Sequence, residues 1–123
     1  MSERIDYTQV APRGVKALGG VHLYVTQSGL SPVLLATVYL RVSLINGCAY
    51  CIDMHSRELR ELGVSNEKIA LVPVWDEASE LFDARERAAL AWAKPLPGYR
   101  PPVRPTAHTR PYRHTSTTRN WST

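Results

Sequence analysis

Asn46-Gly47-Cys48-Ala49-Tyr50-Cys51-Ile52-Asp53-Met54-His55 holds both cysteines of the chain and one of its four histidines. If Cys48 opens a helix, Cys48, Cys51 and His55 stand at i, i+3 and i+7, on one face. An i, i+3 pair at a helix start can close a disulfide, because its Cα atoms fall within the ~4.4–6.8 Å that the bond requires. Unpaired N–H groups and the positive end of the helix dipole there favour thiolate over thiol. His55, one turn below Cys51, can accept the thiol proton and return it. A nucleophilic sulfur, a resolving sulfur and a proton carrier are what a dithiol–disulfide cycle needs.

Other chemistries compete for the same residues. Zinc could take Cys48, Cys51 and His55, but a tetrahedral site needs a fourth ligand. Before the last thirty residues only His22 remains as a candidate for it. Covalent haem attachment wants a histidine directly after the second cysteine, where Ile52 stands. Two inert buried cysteines are a further reading.

The elements that must position this segment read as helices. Gly14 to Gln27 carries Val15, Leu18, His22 and Val25 at helical spacing, weakened by Gly19-Gly20. Ser31-Pro32 is an N-cap followed by proline at the first helical position. The run from Val33 to Ile45 is apolar on most sides, which predicts burial in the core or between subunits. Asn46-Gly47 ends that helix, and the next runs from about Cys48 to Leu62 with Gly63 after it. Ser65 caps a fourth helix through Val72, disturbed by Pro73. Asp83 and Glu86 form a capping-box pattern for a fifth, from Ala84 to about Ala93, closed by Pro95. No βαβ pattern and no repeat occurs, so the expected class is all-α.

The chain of 123 residues is long enough for one modest core. Its formal charge of +4 is unevenly spread. Residues 1–93 carry all eleven acidic residues and a net charge of −2, whereas residues 94–123 carry no acid and a net charge of +6. Six of the nine prolines also lie after residue 93. Residues 1–93 are therefore expected to form the helical domain, and 94–123 a Pro/Arg/Thr-rich tail that is disordered or extended. Nucleic-acid binding is disfavoured because the globular part adds nothing to the basic charge. No apolar run approaches the ~20 residues of a membrane-spanning helix, and the polar start of the chain shows no secretory signal. A cytoplasmic location is expected.

The stretch from Arg41 to His55, with Trp75 and the Phe82–Ala93 segment containing Glu86-Arg87-Ala88-Ala89-Leu90, closely resembles the alkylhydroperoxidase D (AhpD)-like branch of the carboxymuconolactone decarboxylase family. The resemblance covers about residues 10–93. It implies an AhpD-like helical bundle assembling as trimers or hexamers. It implies hydroperoxide reduction, or electron relay from a dihydrolipoyl group on a lipoylated protein to a peroxiredoxin. Under it Cys51 is the attacking thiol, Cys48 its disulfide partner and His55 the proton relay, with no metal or organic cofactor and an external dithiol as electron donor.

The sequence departs from the family pattern twice. A glutamate twelve residues before the first cysteine completes the family's relay, and Ala36 occupies that position here. No acid lies between Asp6 and Asp53, so Glu77 or Glu80 would have to fold back, or Tyr39 or Tyr50 donate a hydrogen bond. Relatives also continue past the Ala84–Ala93 helix with further helices, where this chain turns basic and proline-rich, a break of the kind a shifted reading frame produces. The rival expectation is a catalytically impaired remnant, or a binding module with a basic tail. Among the remaining residues, His22 reads as packed or interfacial, Trp75 and Trp92 as core or interface anchors. Arg57, Glu58, Arg60 and Glu61 read as a solvated helix face.

Overall fold

A computed structural model describes residues 5–101. Its helices are α1 (Tyr7–Val10), α2 (Pro12–Thr26), α3 (Pro32–Asn46), α4 (Ala49–Glu61), α5 (Asn66–Leu71) and α6 (Ala84–Trp92), with 3-10 turns at Val72–Val74 and Ser79–Leu81. No strand occurs among the described residues, so the fold is all-α. Residues 94–101 of the expected tail form neither helix nor strand, and residues 102–123 lie outside the described residues.

The helix limits follow from local chemistry. The Ser31 hydroxyl accepts from Leu34 N–H at the start of α3, and Ser65 does the same from Lys68 N–H for α5. Each such cap typically contributes about 1 kcal/mol. Asp83 and Glu86 close the predicted capping box on α6. Glu86 is buried there, and both its oxygens accept from Lys68 Nζ, at 2.9 and 2.8 Å, which ties α5 to α6. Two differences arise at the N-terminus. α2 starts at Pro12, where the ring's fixed φ suits a first helical position. The short α1 precedes it, capped by Asp6, whose carboxyl is held below its ordinary pKa by hydrogen bonds from the Thr8 hydroxyl and amide.

α3 is the central element, packed chiefly on α4 and α6. Ala36 and Leu40 of α3 join Leu59 of α4, Ile69 of α5 and Leu90 of α6 in the core, with Val72 from the first 3-10 turn and Phe82 from the end of the second. Trp75 packs against this cluster. Trp92 does not, standing 90% exposed at the end of α6. Within the chain, core packing covers one side of α3. Leu35 and Val38 are half-buried along an open groove of about 430 Å³ that Val25, Leu30, Leu34, Tyr39, Arg85 and Ala89 also line. α2 contributes no buried residue, and Leu18, Val21 and Tyr24 on it are exposed.

Candidate active site

The turn between α3 and α4 sets the site. Gly47 adopts φ +61°, a left-handed conformation that glycine takes without steric cost. Gly47 N–H donates to Leu44 O and Cys48 N–H to Ser43 O, a double bond pattern that closes a helix within one residue of its end. Cys48 therefore lands directly at the N-cap of α4. Its sulfur accepts from Cys51 N–H at 3.3 Å. Cys48 and Cys51 form a disulfide, with Cα atoms 5.3 Å apart. Both residues are half-buried, and the bond sits at the helix N-terminus.

His55 lies one turn further along α4, its side chain 15% exposed. Its Nδ1 is 3.1 Å from Glu58 Oε2. An ionised carboxylate only accepts, so the contact needs the proton on Nδ1, and in the neutral ring that leaves the lone pair on Nε2. The Tyr39 ring of α3 lies against the imidazole, centroids 5.2 Å apart and planes tilted by 32°. On its far side the Tyr39 hydroxyl meets His22 Nδ1 of α2 at 3.1 Å.

Of the sequence-predicted residues, the fold bonds Cys48 to Cys51 and sets Tyr39 against His55, which stands one turn further along the same helix as Cys51. Tyr50 is 58% exposed and its side chain has no hydrogen bond among the described residues. Glu77 and Glu80 are exposed, and neither carboxylate bonds to the site or to anything else described. The carboxylate beside the imidazole is instead Glu58, read from sequence as part of a solvated face. Its i, i+3 spacing from His55 was the available signal, obscured because Glu58 stands in a run with Arg57, Arg60 and Glu61 that has the charge pattern of a solvated face. His22 is exposed within the chain, its ring beside that of Tyr39 and its Nδ1 bonded to the Tyr39 hydroxyl. Ala36 is fully buried among apolar side chains. Among the described residues no group of three or more His, Cys, Asp or Glu is placed to hold a metal ion.

Comparison with known proteins bears on this arrangement. The profile of the carboxymuconolactone decarboxylase family matches residues 11–95, well over half of the chain. The chain belongs to that family. YdfG, an uncharacterized protein of Bacillus subtilis, is 36% identical over 90 residues, covering 73% of this chain and 60% of YdfG. YnjA, an uncharacterized protein of Escherichia coli, is 34% identical over 68 residues, covering 55% of this chain and 37% of YnjA. A crystal structure from Agrobacterium tumefaciens superposes with a TM-score of 0.66 at 41% identity, over 75% of this chain and 62% of that one. That protein is described as one of unknown function and a candidate AhpD antioxidant-defence protein. This family member therefore spans less than two thirds of the length of these relatives. Its fold is AhpD-like, and among its described residues no helix is long and apolar enough to cross a membrane.

Proposed function

We propose that this chain is a thiol–disulfide oxidoreductase of the peroxidase type, reducing organic hydroperoxides through Cys51, Cys48 and His55. The observation that carries the reading is the Cys48–Cys51 disulfide at the N-terminus of α4, one turn above an imidazole whose Nδ1–H is held by a carboxylate. Family membership and the AhpD-like neighbour support it.

In the reduced protein His55 Nε2 takes the Cys51 proton. The thiolate attacks the terminal peroxide oxygen and the O–O bond breaks. Cys51 becomes a sulfenic acid, and the departing alkoxide takes the proton from His55 to leave as an alcohol. Cys48 sulfur then attacks Cys51 sulfur, forming the disulfide; the released hydroxide and the Cys48 proton make water. Two thiols are oxidised and one hydroperoxide is reduced. An external dithiol, such as a dihydrolipoyl group on a partner protein, restores both thiols with two electrons and two protons, by exchange through a mixed disulfide. A peroxiredoxin is the alternative acceptor of those electrons.

The apolar groove beside Tyr39 suits the alkyl part of such a substrate. Assembly into trimers or hexamers is part of the reading, supported by the exposed Leu18, Val21, Tyr24 and Trp92. Turnover of cumene hydroperoxide with dihydrolipoamide tests the proposal, and Cys51→Ser is expected to abolish it. A folded intact protein with free thiols and no turnover would favour the impaired remnant or binding module, consistent with the alanine at position 36.

A further inference from the structure

Three aromatic rings from three helices stand in a row that ends on the proposed proton carrier. His22 of α2 and Tyr39 of α3 have centroids 5.6 Å apart, and Tyr39 and His55 of α4 have centroids 5.2 Å apart. We propose that His22 and Tyr39 act as a positioning clamp for His55, so that the seating of α2 governs the reactivity of Cys51.

An imidazole has two side-chain torsions to fix. Glu58 restrains one edge, but that carboxylate is itself 48% exposed, and exposed pairs of this kind restrain little. The Tyr39 ring bounds the face of the imidazole, where its contact limits rotation about the second torsion. Tyr39 is in turn held at its far end. Its hydroxyl is bonded to His22 Nδ1 at 3.1 Å, across a sequence separation of 17 residues. This bond survives a change of His22 charge. Neutral His22 accepts the phenol proton on Nδ1, and protonated His22 donates from Nδ1 to the phenol oxygen.

α2 has no buried residue, so its hold on the body of the fold is thin. Among the described residues, the His22–Tyr39 bond is the only side-chain hydrogen bond that α2 makes outside its own turns and the residues next to it. A helix held so lightly, with a residue reaching towards the active histidine, couples whatever α2 docks against to the thiol chemistry. Neither residue needs to touch substrate for this, so both are positioning residues.

The inference rests on the dithiol reading through His55 alone, and its test avoids peroxide altogether. In a Cys48→Ser background, one thiol remains, and its alkylation by iodoacetamide is followed from pH 5 to 9. Helical content by circular dichroism confirms that each variant is folded. His55→Ala sets the scale of losing the proton acceptor. Tyr39→Leu is expected to slow alkylation at pH 7 about tenfold, approaching the His55→Ala rate, and to move the pH profile upward. Tyr39→Phe keeps the ring and loses the tether, and His22→Ala loses the same tether from the other side. Each is expected to cost two- to fivefold, and the double variant no more than either single one, because both remove one bond. A slow His55→Ala with parental rates in the Tyr39 and His22 variants overturns the clamp alone. A parental rate in His55→Ala overturns the role of His55, and with it both the clamp and the proposed proton relay.

Discussion

Glu58 Oε2 lies 3.1 Å from Nδ1 of His55, and the two residues are one turn apart on the same helix. The pair holds the Nδ1 edge of the ring from within the helix, while the Tyr39 ring of α3 lies against the imidazole. Because Glu58 is half exposed, the pair is worth up to about 1 kcal/mol, or about fivefold. Glu58→Gln should therefore lower kcat/KM for an organic hydroperoxide by about fivefold or less. His55→Ala, which removes the proton carrier, should lower it by about 10² or more. Equal losses in the two variants would show that the carboxylate itself transfers the proton.

Cys48 has two duties that one substitution separates. Its sulfur caps α4, and it forms the disulfide. Serine is the better N-cap, so Cys48→Ser should leave the thermal midpoint of the reduced protein unchanged or slightly higher. The same variant should stop at a sulfenic acid after one equivalent of hydroperoxide, detectable by mass or by dimedone trapping. A large fall in the reduced midpoint would show that the sulfur packs in a way the oxygen cannot replace.

Ala36 is fully buried, in contact with the core around Leu40 and Phe82. Restoring the family's carboxylate by Ala36→Glu would bury a charge without a described partner, costing about 3 kcal/mol or more. Urea unfolding of the reduced variant should show this as a lower midpoint, with no gain in turnover. Parental stability in that variant would mean that the core side of α3 opens to water or to a neighbouring subunit.

How far the sequence reaches can be judged from particular residues. Ser31-Pro32, Gly47, Ser65 and the Asp83/Glu86 box placed the helix limits, because caps and left-handed turns involve groups within five residues of one another. The Cys48–Cys51–His55 face was legible for the same reason. Glu58 was within reach of that logic, since of His55, Arg57 and Arg60 only His55 stands at helical spacing from it, and in the fold Arg57 pairs with Asp53.

The exposure of α2 and of one side of α3 was not legible. An apolar stripe states that a face wants cover, and says nothing of whether the cover lies within the same chain. The row from His22 through Tyr39 to His55 was further out of reach. Its members are 17 and 16 residues apart, on helices whose mutual rotation follows from how Ala36, Leu40, Leu59 and Phe82 fill one core. Local bonding wrote the dithiol and its helix into the sequence, and packing across the core settled which side chains surround the imidazole. Covalent geometry and capping act over a single turn, while side-chain volumes from several elements must be filled together before any ring finds its neighbour.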